Sequence, residues 1–510
     1  MLTRSPFSAV ALSGAACLAF VASCSSEVPT EEAAAGGSGG VGAAPSGGAS
    51  GTMPGIGGGP TGGAAGSSAG ASGAAGAGAA PTGGAAGAAG SGGTGPIACS
   101  EAAAAYGIAA TPLDASLVPL GSSSGFGNRG YARLPVAVDG ATNQVYVGLT
   151  TSAGAVIAPV GGAPITVPDA VNAGIAVTND GVAVLLFDPN ATVDDRVWAA
   201  VRRVRADGSE VFQTDLFRSP NLVDVGTKGA PSTSRLGYIS GTNEVVAYFA
   251  HTQRYDDDVR HQGGYLATLD AAGEQTLLSG WFGSHNLDQR LFVDAEGGAV
   301  LGLGDAYPEG IFFSFLEERP STEVLYPLAA AGNGATNGQL GGIVDLGDEL
   351  IVPFITNRSI PQDLDAGTWP DIDEAISQQI RDAAATGTDM GLLRVPKTGM
   401  NPDAELTATW LTPAPAAGAR LESLKAARYG AGGLVLLAWA ESTGSNRQAT
   451  SQYFTMVVDR DGAVCQPKAP LAAEFAFTSG DDIVRRPDGA IVWATLQGSA
   501  VSLVTLTPGN

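Results

Sequence analysis

The sequence predicts an all-β fold for residues 97–510, because seven short apolar runs each follow a tight turn and recur 37 to 84 residues apart. The runs are five to seven residues long and rich in Val, Leu and Ile, which favours strands over helices. They are apolar at most positions instead of alternating, so both faces of each strand should be buried. The runs begin at Val145, Val182, Val245, Ala299, Leu350, Leu434 and Ile491.

The segments before these runs contain Gly, Asp and Asn, as in "VDGATNQ", "TNDG" and "RPDG". Such residues favour tight hairpin turns, because Gly accepts positive φ without steric cost. Pro353 interrupts the fifth run and cannot donate a ladder hydrogen bond, so we expect a β-bulge there.

An all-β chain with a repeat of about 55 residues predicts a β-propeller, in which radial packing buries both faces of each inner strand. We expect seven blades, with six or eight as alternatives. The tripeptides "ARL" 132–134, "SRL" 234–236, "QRL" 289–291 and "ARL" 419–421 each open a repeat. The last repeat has room for three strands, so a strand from residues 97–120 should complete its blade.

The N-terminal segment predicts export. Residues 1–23 have a charged Arg4 followed by an apolar stretch, which is typical of a secretory signal. The segment ends in "VASC", which resembles the bacterial lipobox, and this resemblance implies that Cys24 carries lipid at the mature N-terminus. An ordinary signal peptide with an incidental cysteine is the alternative. Ser25 follows the cysteine where Asp would favour retention, so the resemblance implies the outer membrane, facing either the periplasm or the cell surface.

Residues 24–96 should form a disordered linker between the lipid and the propeller domain of residues 97–510. Between Glu32 and Glu101 no aromatic or charged residue occurs, and such a segment cannot bury enough apolar surface to fold.

Two cysteines remain after the signal and the lipid site are removed, Cys99 and Cys465. In an oxidising envelope such a pair predicts a disulfide, and two free buried thiols are the alternative. Closure of the ring by residues 97–120 would place Cys99 beside the last blades.

The net charge is −23, from 49 acidic and 26 basic residues. This charge disfavours nucleic acid and anionic lipid headgroups as partners. It is compatible with cationic ligands or divalent metals, and equally with a merely soluble surface. We expect a monomer.

All three histidines fall in two segments, "HTQRYDDDVRH" at 251–261 and "GSHNLDQR" at 283–290. In a propeller these positions correspond to loops of one face, called the top face here. The candidate binding residues are His251, Asp256, Asp257, Asp258, His261, His285, Asp288 and Asp305.

The histidines suit zinc or manganese and the aspartates suit calcium. Their spacing matches no metal motif, however, and exposed polar loop residues are the favoured interpretation.

A long insertion at about residues 359–389 contains "DIDEAISQQIRDAAATG", which predicts a helix. Asp371 is the expected N-cap, with Glu374 three residues later. Ile372, Ile376 and Ile380 form an apolar stripe, and Gly387 is the expected stop.

The lipobox, the Gly/Ala/Ser-rich linker and the acidic β domain together resemble surface lipoproteins of myxobacteria. The segment 284–311, "SHNLDQRLFVDAEGGAVLGLGDAYPEGI", is similar to propeller proteins of such genomes, and the resemblance implies a propeller without catalytic residues to transfer. We expect a lipoprotein whose top face binds a protein or polysaccharide. A hydrolase or lyase that uses top-face carboxylates and histidines is the alternative.

Overall fold

The computed structural model describes Cys99, residues 106–120 and most of residues 133–509, all within one compact unit, residues 89–510. The gaps after residue 120 are 121–132, 189–198, 218–221, 225–233, 255–259, 285–287, 306–308, 317–322, 332–334, 337, 368–372, 385–386, 399–405, 431, 444–450 and 479. The predicted signal segment, the lipid site Cys24 and the linker lie outside the described residues. Within the described residues, no helix is long and apolar enough to cross a bilayer.

Seven antiparallel sheets form a ring, so the predicted seven-bladed β-propeller is confirmed. Strand β1 (Gly107–Pro112) precedes the first blade. Blade one contains β2 (Val136–Val138), β3 (Val145–Thr151), β4 (Gly154–Pro159) and β5 (Ile165–Val167), and blade two contains β6 (Val171–Thr178), β7 (Gly181–Phe187), β8 (Ala199–Arg205) and β9 (Glu210–Phe217). Blade three contains β10 (Leu222–Asp224), β11 (Arg235–Ile239), β12 (Glu244–Arg254), β13 (Arg260–Leu269) and β14 (Gln275–Ser284). Blade four contains β15 (Asp288–Val293), β16 (Gly298–Asp305), β17 (Glu309–Phe315) and β18 (Glu323–Tyr326).

A separate pair of short strands follows, β19 (Ala330–Ala331) and β20 (Ala335–Thr336). Blade five contains β21 (Gly338–Leu340), β22 (Val344–Asp345), β23 (Glu349–Thr356), β24 (Asp389–Pro396) and β25 (Thr409–Leu411). Blade six contains β26 (Ala419–Tyr429), β27 (Leu434–Thr443), β28 (Ser451–Val458) and β29 (Val464–Leu471). Blade seven contains β30 (Val484–Arg485), β31 (Ile491–Gln497) and β32 (Ala500–Thr507).

The N-terminal strand closes the ring, as the short last repeat predicts. Strand β1 pairs antiparallel with β32, from Gly107 opposite Thr507 to Pro112 opposite Ser502, and becomes the fourth strand of blade seven. A disulfide joins Cys99, which precedes β1, to Cys465 in β29 of blade six, with the Cα atoms 4.7 Å apart. The predicted disulfide is therefore confirmed.

The hydrophobic core lies between neighbouring blades, because the second strand of each blade is covered on both faces. In β23 every residue is buried. The rings of Phe187 in blade two and Phe249 in blade three meet edge to face, with centroids 5.6 Å apart. Each such fully buried aromatic side chain stabilises the fold by about 1.5–3 kcal/mol.

Aspartate side chains fix the tight turns between first and second strands. Oδ1 of Asp139 accepts a hydrogen bond from the amide of Ala141 at 2.8 Å, and Oδ1 of Asp294 does the same for Glu296 at 2.8 Å. In the first and third blades, Asn143 and Asn243 have φ near +60°. Asparagine tolerates this left-handed conformation better than most residues, which explains "TN" in both turns.

The irregularity expected at Pro353 is present, but it lies in the facing inner strand and not in β23, because residues 341–343 oppose only residues 352–353. Strands β23 and β24 pair without a register shift, with Pro353 opposite Leu392. The irregularity is instead on the other side, where the innermost strand of blade five is split into β21 and β22. Gly341 donates to the carbonyl of Pro353 at 2.7 Å, so the missing N–H of the proline faces this split strand.

The predicted helix is present as α1 (Glu374–Ala384), but its N-cap is Asp373 and not Asp371. Oδ1 of Asp373 accepts hydrogen bonds from the amides of Ala375 and Ile376, both at 3.0 Å. Asp371 and Ile372 lie outside the described residues. Ile380 is fully buried in a small cluster with Ile360 and other apolar residues of the insertion, so the apolar stripe anchors the helix.

Candidate functional site

A central channel is lined by the innermost strands of all seven blades and contains a cavity of about 420 Å³. Each innermost strand runs from its entry loop, here called the upper end of the channel, towards its tight turn at the lower end. Glycines let these strands approach: a Cβ at Gly237 would lie 2.9 Å from Cγ1 of Val293 in the next blade. The charged residues that line the cavity are Arg133, Arg235, Arg290, Asp345, Arg428, Asp481, Asp482 and Arg485.

Arg133 and Asp481 link the first blade to the last at the upper end. Nε of Arg133 donates to Oδ1 of Asp481 at 2.6 Å, and both side chains are at most 6% exposed. The other carboxylate oxygen accepts from the amide of Leu134 at 2.6 Å and from the hydroxyl of Thr478 at 2.7 Å. Nη2 of Arg133 donates to the carbonyl of Ser234 at 3.0 Å, which extends the network to blade three.

Asp482 joins two further arginines to the same network. Its carboxylate accepts from Nε and Nη2 of Arg235 at 2.6 and 3.1 Å, and Oδ1 lies 3.4 Å from Nε of Arg290. Arg290 also pairs with Asp288, which accepts from the amide of Leu340 at 3.0 Å. The Asp482 side chain keeps 29% exposure because it faces the channel cavity.

Lys425 of blade six adds a fourth cation. It is 1% exposed. Burial, together with the neighbouring charge of Arg290, lowers the pKa of this lysine to about 7, although Asp482 opposes the shift. The channel therefore holds a lysine whose charge state changes near neutral pH.

The aspartates of the network are held ionised. Burial alone would raise the pKa of Asp482, but Arg235 and then Arg290 outweigh it and hold that pKa well below its usual range. For Asp481, burial is likewise outweighed by Arg133 and by the amide of Leu134, so its pKa is also lowered. A carboxyl group in this state cannot donate a proton at neutral pH, so these two residues are unsuited to act as general acids.

Three of the four "RL" tripeptides supply this cluster, which the sequence reasoning missed. The repeated arginine was a usable signal, because Arg133, Arg235 and Arg290 lie at the start of the innermost strands of blades one, three and four. The fourth, Arg420, instead donates to Oγ of Ser442 at 3.0 Å. A register shift follows it, between Glu422 and Lys425, where Ser423 has φ +58°. After this β-bulge it is the buried Lys425, and not Arg420, that lies near Arg290 and Asp482.

His251 is not in a loop, so the interpretation of this residue as an exposed loop side chain is wrong. It lies in β12, opposite Gly263 of β13, and is 2% exposed. Its ring meets that of Tyr265 edge to face, with centroids 5.9 Å apart. Burial lowers the pKa of His251 to about 4, although a hydrogen bond to the backbone of Gly263 opposes the shift. The imidazole is therefore a neutral core group at pH 7.

The other predicted site residues are placed only in part. His261 lies in β13 opposite Gln253, Asp288 opens β15, and Asp305 ends β16 opposite Glu309. The strand directions put these positions at the upper end of blades three and four. Of these three residues, Asp288 belongs to the channel network, where it pairs with Arg290. Asp256, Asp257, Asp258 and His285 lie outside the described residues.

No group of three or more His, Cys, Asp or Glu side chains in the described part of the chain is arranged to hold a metal ion. The carboxylates that cluster there, at the upper end of the channel, are neutralised by guanidinium groups.

No protein-family model matches the chain, and no curated protein matches it. Among solved structures, it is similar to the WD40 domain of SCAP from fission yeast, with a TM-score of 0.32 and 8% identity over 79% of this chain and 98% of that one. It is also similar to an α-L-arabinanase of Penicillium chrysogenum, with a TM-score of 0.33 and 11% identity over 68% and 94% of the two chains. A neuraminidase-like protein of influenza A from a flat-faced bat has a TM-score of 0.31 and 9% identity, over 71% and 96%. Likeness at this level assigns no function.

Replacement of Asp482 by Asn should destabilise the domain by about 3 kcal/mol, because it leaves Arg235 and Arg290 in the channel without their shared counter-charge. This value is at the lower end of the range for breaking a buried ion pair, because Asp482 is partly exposed to the cavity. Urea unfolding measures the change. Glu296→Gln, the same change on an exposed turn residue, should alter stability by less than about 0.5 kcal/mol. Equal effects of the two substitutions would contradict the role of the network.

The stability of the domain should fall as the pH falls from about 6.5 to about 4, with His251 contributing about 3 kcal/mol. The histidine binds a proton in the unfolded chain below pH 6.5, whereas the folded chain keeps it neutral until about pH 4. Its stabilisation is therefore present above the unfolded pKa and lost towards the folded pKa. His251→Phe should remove this part of the pH dependence, measured as the difference between the urea-unfolding curves of the parent and the variant across that range. If the stability of the parent and that of the variant change in parallel with pH, the prediction is contradicted, because His251 would then take up a proton equally well in the folded chain.

Proposed function

We propose that the chain is a lipoprotein of the bacterial cell envelope whose propeller domain binds a protein or polysaccharide partner. The observation that carries the binding role is the state of the charged groups at the upper end of the channel. Asp288, Asp481 and Asp482 are each paired with an arginine. A centre whose carboxylates are held by arginines suits a scaffold that presents loops to a partner.

The same observation weighs against the hydrolase or lyase alternative. Acid–base chemistry needs a proton donor or acceptor that reaches the substrate and has a suitable pKa. His251 is buried in the sheet of blade three. Asp288 is engaged with Arg290 and the amide of Leu340. The sheet keeps the imidazole of His251 away from a substrate, and the carboxylate of Asp288 is already held by its partners.

The anchoring part of the proposal rests on the sequence. "VASC" after an apolar segment supports lipidation at Cys24, and the Gly/Ala/Ser-rich residues up to 96 support a flexible connection to the domain. A domain held in this way would stay near the membrane surface while it searches for a partner.

The binding role is tested with the full chain, purified in detergent and applied to immobilised neutral and acidic polysaccharides and to cross-linking with envelope proteins. We expect retention or cross-linking without turnover. The same samples are assayed for new reducing ends and for the absorbance of unsaturated sugar products. Product formation that depends on the folded chain, judged against a heat-unfolded sample, would support the hydrolase or lyase alternative instead.

Cys24→Ala should abolish incorporation of a labelled fatty acid and move the chain out of the membrane fraction, because the lipid would be its anchor. Membrane fractionation and lipid labelling measure the change. Cys17→Ala is the matched control, since it makes the same substitution seven residues upstream within the signal segment. Unchanged membrane partitioning of the Cys24 variant would refute the anchor.

A further inference from the structure

The lower end of the channel is basic in an acidic protein. Arg428 in β26 and Arg485 in β30 belong to the neighbouring blades six and seven, and both line the cavity. Both are half-buried, whereas the arginines at the upper end are at most 7% exposed. Access to the cavity is therefore greater at the lower end, within the described part of the ring.

The carboxylates of the cavity wall are each engaged by a cation other than Arg428 and Arg485, including Asp345, which lies at the lower end itself. The wall carries five arginines and three aspartates. Asp481 and Asp482 pair with the arginines of the upper end. The third, Asp345, accepts a hydrogen bond from Nζ of Lys397 at 3.0 Å. The wall as a whole is positive, and Arg428 and Arg485 are its two arginines at the lower end.

The environment of Arg485 indicates a place for a counter-charge. Nη2 donates to the carbonyl of Gly430 at 3.2 Å, which is a neutral acceptor. Nε is shielded from solvent and has no hydrogen-bond partner among the described residues. Burial and the nearby charge of Arg428 lower the pKa of Arg485, although Asp488 opposes the shift, and the two guanidinium groups repel each other. An anion between them would relieve this repulsion.

We propose that the lower end of the channel binds a small anionic molecule, through a carboxylate or phosphate group held by Arg428 and Arg485. Guanidinium groups match the planar, bidentate geometry of these oxyanions. The cavity of about 420 Å³ is within the size range of small-molecule sites and suits a ligand of monosaccharide size. The site lies at the opposite end from the top-face loops, so it stands independently of the proposed partner binding.

The selectivity of the site follows from its surroundings. The net charge of −23 repels anions from most of the surface. Low solvent access strengthens the attraction within the channel, because charges interact more strongly where water is excluded.

The test is isothermal titration of the full chain in detergent with glucuronate and, separately, with inorganic phosphate, at constant ionic strength. Glucose is the neutral counterpart of glucuronate. We expect saturable binding of at least one anion and none of glucose, and the two arms identify which oxyanion is preferred. Binding of neither anion, or equal binding of glucose and glucuronate, overturns the proposal.

Arg485→Gln should weaken the binding by about tenfold or more, because it removes a charge-assisted contact. Arg486→Gln is the matched control: it makes the same change one residue later, at a side chain that lies outside the cavity and pairs with Asp488 at 2.6 Å. It should leave the affinity within about twofold. Equal weakening by both variants would indicate non-specific attraction and overturn the site. If circular dichroism shows that Arg485→Gln is unfolded, Arg428→Gln replaces it, with the same expected loss.

Discussion

The ring depends on buried ion pairs at the upper end of its central channel. Asp481 and Asp482, adjacent in the last repeat, hold Arg133, Arg235 and Arg290, which belong to the first, third and fourth blades. Burying charges is costly, and paired ions often do no more than recover that cost. Their contribution here is one of specificity: a blade out of register would leave an arginine unpaired in the channel. The network therefore fixes the inner strands of blades one, three and four relative to the last blade.

Closure of the ring uses the same last repeat. Strand β1 adds a complete backbone ladder to β32, the disulfide joins Cys99 to Cys465, and Arg133 reaches Asp481 from the first blade. These three links are of different kinds. The ladder satisfies backbone groups at a sheet edge, the disulfide restricts the unfolded chain, and the ion pair orients the innermost strands. Together they tie the start of the domain to its last two blades.

Much of this fold could be predicted from the sequence because its signals are local. The doubly apolar runs, the Asp- and Gly-containing turns and the short last repeat determined the blade number, the closing strand and the disulfide. The cluster in the channel was missed because its members are far apart in sequence, as Arg133 and Asp481 show. The placement of His251 failed for a local reason. The apolar residues end at Ala250, which indicates a loop at His251, whereas β12 continues to Arg254 and buries the imidazole.

A β-bulge explains why the repeated arginine belongs to the channel network in three tripeptides but not in the fourth, at Arg420. The shift between Glu422 and Lys425 lengthens β26 and moves Arg420 away from the channel, so the tripeptide alone does not determine which cation enters. The consequence is chemical as well as geometric. An arginine stays charged at any physiological pH, whereas the pKa of the buried Lys425 is about 7. Loss of that one proton would leave Asp482 with fewer neighbouring cations and lower the positive potential along the channel. The charge of the buried network around Asp482 is thus coupled to the backbone irregularity in blade six.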